Sequence, residues 1–177
     1  MKKVLYSIIL LCATINISAQ DISKKYLSRI HNDGYLYFIY PMEGFSTNDT
    51  KAKKDMVFDI TYLTTRDSVT YNFTYYTKEA SPTDSVFILL PDNERSYVES
   101  TMFYVEPKRK NWEQRASLSI PAEFLNKMYE NDLPYKVLVH SKGNSYLYTM
   151  KEKDWKKQSA IVRKILESIK YSVEFQK

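Results

Sequence analysis

Thiol, imidazole and glycine are nearly absent from this chain. Its 177 residues include one cysteine, two histidines and three glycines. Cys12 sits in an apolar N-terminal run, so no cysteine is expected in the mature domain. That excludes a disulfide framework, a zinc finger, an iron–sulfur centre and thiol chemistry. Gly34, Gly44 and Gly143 are far apart, so neither a P-loop nor a dinucleotide-binding glycine fingerprint can be built. A Ser-His-Asp triad needs a histidine beside a hydroxyl and a carboxylate. His31 and His140 are the only candidates, no Gly-x-Ser-x-Gly elbow is present, and both read as solvent-facing side chains. No metal and no cofactor is expected.

The N-terminus carries a targeting pattern. Lys2 and Lys3 precede an apolar run from Val4 to Ile17, and Ser18-Ala19 supplies small residues before Gln20. This is the form of a cleaved secretion signal over residues 1–19. The run is too short for a comfortable transmembrane helix, which needs ~20 apolar residues. Leu11 before Cys12 argues against lipid attachment there. The expected product is one globular domain over residues 20–177, periplasmic, extracellular or surface-associated, with no transmembrane segment. Losing Lys2 and Lys3 lowers the net charge from +5 to +3, too mild to imply a nucleic-acid partner.

The rest of the chain is dominated by short β-prone runs. Ile22, Tyr26, Leu27 and Ile30 suggest one face of a short helix, ended by Asn32-Asp33-Gly34. Tyr35 to Tyr40 reads as a strand ending at Pro41. Met56–Leu63 and Val69–Tyr76 alternate around a short loop and read as an antiparallel hairpin. Val86–Leu90 is continuously apolar, which suggests a central strand covered on both sides. Tyr97 to Val105 reads as one alternating strand with Glu99 within it. Trp112 to Ile120 follows as a half-buried strand.

Pro121 opens a short helix carrying Phe124, Leu125 and Met128, stopped by Asn131-Asp132 and Pro134. Val137–His140 and Tyr146–Thr149 flank the turn Lys142-Gly143-Asn144. The last helix starts either at the capping box Thr149-Met150-Lys151-Glu152 or at Asp154. Its apolar face is Trp155, Ile161, Val162, Ile165, Leu166 and Ile169. Tyr171, Val173 and Phe175 alternate as a terminal strand. The fold class is α+β, predominantly antiparallel β: a curved sheet or sandwich of about eight strands. One short internal helix and a C-terminal amphipathic helix pack on it.

The most unusual abundance is aromatic, with 16 Tyr, 8 Phe and 2 Trp. Tyrosine suits half-exposed strands and recognition surfaces. Tyr35, Tyr37, Tyr146 and Tyr148, with Tyr76 expected on the exposed face of its strand, are candidates for a stacking platform. Asp59 and Glu99 are the acids placed inside β-prone runs, and paired carboxylates serve glycosidases. Asp59 is expected on the solvent face, and Glu99 could face a polar cavity or pair with Arg95 or Arg115. Two oxygen-rich stretches, Asn48-Asp49 with Asp55 and Asp92-Asn93-Glu94, match no calcium-loop spacing and read as turns. The leading reading is a non-enzymatic module that binds a protein, a cell-surface polymer or a small apolar ligand through a tyrosine-rich sheet surface or a loop end. The alternatives are a carrier of a lipid or other apolar ligand between sheet and C-terminal helix, and a carboxylate-dependent hydrolase.

Overall fold

The computed structural model describes residues 22–32, 34–47, 55–92 and 94–174. Residues 1–21, where the secretion signal was expected, the Asn48-Asp49 pair, Asn93 and Phe175 lie outside the described residues. A 3-10 turn (Ile22–Lys25) leads into β1 (Tyr26–His31), where a helix was expected. Those four apolar positions fit a strand as well as a helix. His31 pairs directly with Gly34, so β1 folds back on β2 (Gly34–Ser46).

β2 does not end at Pro41. The register against β3 (Met56–Leu63) shifts between Ile39 and Met42 and again between Met42 and Phe45. Proline cannot donate to the ladder, and an irregularity is where a strand tolerates it. Gly44 sits at φ +129°, and a Cβ there would come within 3.2 Å of the Gln158 amide and of Met150. That close approach lets the C-terminal helix lie on the sheet.

The expected hairpin forms between β3 and β4 (Ser68–Thr77). β5 (Ser85–Leu89) is not doubly covered: Val86 and Ile88 are buried while Phe87 and Leu89 are half-buried. The run from Arg95 to Lys108 is two strands, β6 (Arg95–Val98) and β7 (Ser100–Lys108), broken at Glu99. β8 (Asn111–Pro121) runs into helix α1 (Ala122–Glu130), whose first N–H bonds the Asp67 carbonyl. β9 (Lys136–Ser141) and β10 (Asn144–Met150) form the last hairpin, and helix α2 spans Glu152–Glu174. Thr149 pairs with Ser46 in the sheet, so it does not cap the helix. α2 absorbs Tyr171 and Val173, because no proline or glycine interrupts it and the Ile165–Ile169–Val173 spacing continues the buried face.

The described residues thus form ten antiparallel strands in the order β6-β5-β9-β10-β2-β3-β4-β8-β7, with β1 beside β2. The two strands beyond the expected eight are β1 and the second half of the divided run. The ends of this order, β6 and β7, are joined through Glu99 alone, so the sheet must curl strongly, and β6 comes close to β8. Inside the curl lies one core, with α1 and α2 closing its open side. Its densest part is a ring cluster. Phe58 stacks on Tyr71 at 5.3 Å, and Phe45 meets Tyr135 at 4.8 Å. Trp155 stacks on Tyr129 at 5.3 Å and meets Tyr135 edge-on at 5.5 Å. The Tyr71 and Tyr135 hydroxyls bond each other at 2.9 Å. Burial pushes the hydroxyls of Tyr71, Tyr129 and Tyr135 well above the ordinary tyrosine range.

Candidate functional site

Strands β3, β4 and β8 turn Phe58, Phe73 and Leu118 inward and polar side chains outward. Toward one end Thr70 and Ser119 meet water as alternation suggests, but other outward residues do not. Asp59 is only 1 % exposed. Its carboxylate accepts from Arg115 Nη2 at 2.6 Å and from Asn72 Nδ2 at 2.7 Å. Arg115 Nη1 also donates to Thr74 Oγ1 at 3.0 Å. Pleat parity placed Asp59 on the side away from the core. It could not show that Arg115 and Asn72 would seal it there, as a desolvated carboxylate requires. Tyr76, expected to be exposed, is 5 % exposed and donates to Glu113 Oε2 at 2.9 Å. Burial, reinforced by that bond to a carboxylate, raises the Tyr76 pKa far above its usual value. These side chains form a saturated polar layer whose acids are engaged in holding the sheet.

The remaining tyrosines do not assemble a platform in solvent. Tyr37, Tyr146 and Tyr148 belong to the core, and Tyr35 is half-buried against Tyr37 at 6.5 Å. The β3–β4 register ends at Val57↔Thr74, which leaves the last residues of β4 without a partner on that side. Tyr148 serves in its place, accepting from the Tyr76 N–H at 3.1 Å and donating to the Tyr76 carbonyl at 2.7 Å. Tyr146 accepts from the Lys78 N–H at 3.3 Å. Each ring fills the core while its hydroxyl completes the backbone of a strand across the curl.

Glu99 is exposed at the joint between β6 and β7 rather than aligned on a strand face. Arg115, one of its expected partners, is held by Asp59. The row Asp59–Asn72–Ser117–Thr101 crosses four strands, and Glu99 lies beyond its far end. Three strand spacings are roughly 14 Å, outside the range over which two carboxyls cooperate on one glycosidic bond. His140 is half-buried, and its Nδ1 bonds Ser145 Oγ at 2.8 Å while its ring packs edge-on to Phe87. No carboxylate of the described residues bonds His140, so the pair is a local clasp of the β9–β10 hairpin. Asp92 Oδ1 accepts the Glu94 N–H at 3.1 Å, a turn bond of the kind that explains its stretch.

A concave site forms elsewhere, between α1 and α2. The α1 carbonyls left unpaired at its C-terminus are met by α2. Arg163 donates to the Tyr129 carbonyl and to the Asn131 carbonyl at 2.8 Å, and Trp155 Nε1 reaches the same Asn131 oxygen at 3.2 Å. This clamp fixes the two helices side by side and leaves a groove of about 630 Å3 beyond it. Tyr62, Val69, Leu125, Leu166, Ile169 and Val173 supply the apolar walls. Glu130, Glu167, Lys170 and Glu174 stand at the rim. A second depression of about 500 Å3, between the 3-10 turn and the start of α2, is lined by Lys24, Lys25 and Lys157 and by Glu43, Asp55 and Asp154. Its mixed charges favour neither sign of ligand.

Among known proteins, no family model, no curated protein and no solved structure matches the chain. The groove residues went unremarked in the sequence apart from the stripe itself. One signal was present: the apolar face of α2 is wider than one seam, and the structure buries Ile165 and Ile169 while leaving Leu166 and Val173 half-covered.

Proposed function

We propose that this chain is a non-enzymatic binding domain that takes a small amphiphile into the groove between α1 and α2. The observation that carries this reading is the groove itself, about 630 Å3 with apolar walls and a charged rim. That volume lies within the span of small-ligand sites, roughly 300–1,000 Å3. Leu166 and Val173 offer apolar contact to a ligand body, and Lys170 and the rim glutamates offer polar contact to a head left in water. The reading keeps the binding module and the carrier as one activity and moves recognition off the tyrosine strands. The hydrolase reading is disfavoured because Asp59 is already neutralised by Arg115 and Glu99 lies beyond its reach. The secretion signal read in residues 1–19 belongs to the same proposal and gives the ligand an extracytoplasmic source.

The test is a fluorescence titration of the full chain with N-phenyl-1-naphthylamine, an uncharged probe with an apolar body and one polar N–H. We expect saturable binding, weakened on the order of tenfold by Leu166→Arg. Near-ultraviolet circular dichroism checks that the variant keeps its fold. Absence of saturable binding, or equal binding by a folded Leu166→Arg protein, overturns the proposal.

A further inference from the structure

Among the strands whose burial is described throughout, β1 is the least covered. Tyr26 is half-buried and the other five residues are exposed, with Ile30 at 82 %. One side of β1 pairs with β2, and no described strand lies on the other. Tyr35 donates its N–H to Thr64 Oγ1 at 3.0 Å and its carbonyl accepts the Thr64 N–H at 3.0 Å, so the Ile30–Tyr35 pair is a non-hydrogen-bonded one and the alternation proceeds from there. Leu27, Arg29 and His31 therefore bond β2. Tyr26, Ser28 and Ile30 direct their N–H and C=O groups outward, away from β2.

Open edges in natural sheets are blunted by proline, bulges or charge. β7 follows that practice, with a register shift between Met102 and Tyr104, Pro107 in the strand, and Glu106 and Lys108 beside it. β1 has no proline and no register shift. Its faces also differ. Tyr26 and Ile30 continue the apolar side that carries Tyr35 and Tyr37, and Tyr26 packs on Tyr37 at 6.0 Å. Arg29 and His31 lie on the opposite side, Arg29 makes no ion pair with a described residue, and no acid occurs from Ile22 to Asn32.

We propose that the open edge of β1 docks an extended acidic polypeptide segment, which adds to the sheet as a further strand. Main-chain bonds to Ser28 and Ile30 would hold it, apolar residues would lie beside Tyr26 and Ile30, and alternating acids would face Arg29. Charge selects this partner over a second copy. A symmetric antiparallel pair centred on Ser28 makes Arg29 of one chain a diagonal neighbour of Arg29 of the other, roughly 7–8 Å apart, and sets Lys25 beside His31. The inference is independent of the groove.

The test uses fluorescently labelled peptides of alternating valine and glutamate, with alternating valine and lysine as the control. Anisotropy with the full chain should show the acidic peptide binding on the order of tenfold more tightly. Arg29→Glu should reverse that preference. Ser28→Pro should abolish binding of both peptides, because it removes an outward donor without touching the β2 ladder. Equal binding of the two peptides, an unchanged preference in Arg29→Glu, or no binding by the wild-type chain overturns the proposal. So does a wild-type dimer by light scattering that Ser28→Pro dissolves, which would assign the edge to a second copy.

Discussion

β4 and β1 lie in the same sheet with β2 and β3 between them, and their surroundings are opposite. β4 buries Tyr71, Phe73 and Tyr75 inward, and Thr74 and Tyr76 are buried outward as well. Its backbone pairs with β3 and β8, and Tyr148 completes it where β3 stops. β1 pairs on one side and buries no residue fully. Both strands are tyrosine-bearing and β-prone in sequence. The difference arises from what crosses them: a neighbour on each edge, a polar layer on the outer face and two helices on the inner one. A strand pattern therefore states which side a residue takes, and the rest of the fold decides whether that side is wet.

The comparison can be broken first from the core side. Trp155→Ala should cost about 3–5 kcal/mol, because the ring stacks on Tyr129 and also donates to the Asn131 carbonyl. Denaturant unfolding reads this, and a near-neutral result would mean that α2 does not hold the core beneath β4. Next is the outer layer. Arg115→Met should cost about 3 kcal/mol, since it strands the buried Asp59 carboxylate. Asp59→Asn in the same background should recover part of that loss. If Arg115→Met is silent, the outer face is wetter than its geometry indicates.

Tyr148→Phe should cost about 1–3 kcal/mol by leaving the Tyr76 N–H and carbonyl without their partner. Ionisation offers a gentler probe of the same rings. Burial, only partly offset by the bond to Thr83, pushes Tyr75 from 10.0 up to about 12. A pKa raised in the folded state stabilises fully below the unfolded value and is lost as pH rises through the folded one. Stability should hold up to about pH 10 and fall between about pH 10 and 12. Tyrosinate absorbance of Tyr71, Tyr129 and Tyr135 should then appear with unfolding rather than before it. The smallest effect belongs to β1: Ile30→Thr should change stability by less than about 0.5 kcal/mol.

Much of this architecture was legible in the sequence, for physical reasons that also mark the failures. The β3–β4 and β9–β10 hairpins, the short α1 and the docked α2 follow from periodicity and turn chemistry, which are local. β1 was misread because four apolar residues in nine satisfy either period, and only pairing with β2 chooses. Glu99 was misread because alternation runs through it, while the break comes from the sheet changing ends. The candidate site was less legible still. Tyr76, Tyr146 and Tyr148 carry a surface-like composition, yet their hydroxyls are used by backbone and carboxylate partners 37 or more positions away in the chain. The groove depends on how α1 and α2 are clamped by Arg163, which no single segment reveals.

Native-state amide hydrogen exchange compares β4 with β1 most directly. The account predicts that amides from Tyr71 to Tyr76 exchange only through global unfolding. Amides of Ser28 and Ile30 should exchange orders of magnitude faster, through the open edge alone. Comparable protection in β1 and β4 would contradict the account, since it would require a covered β1 and leave no edge to offer a partner.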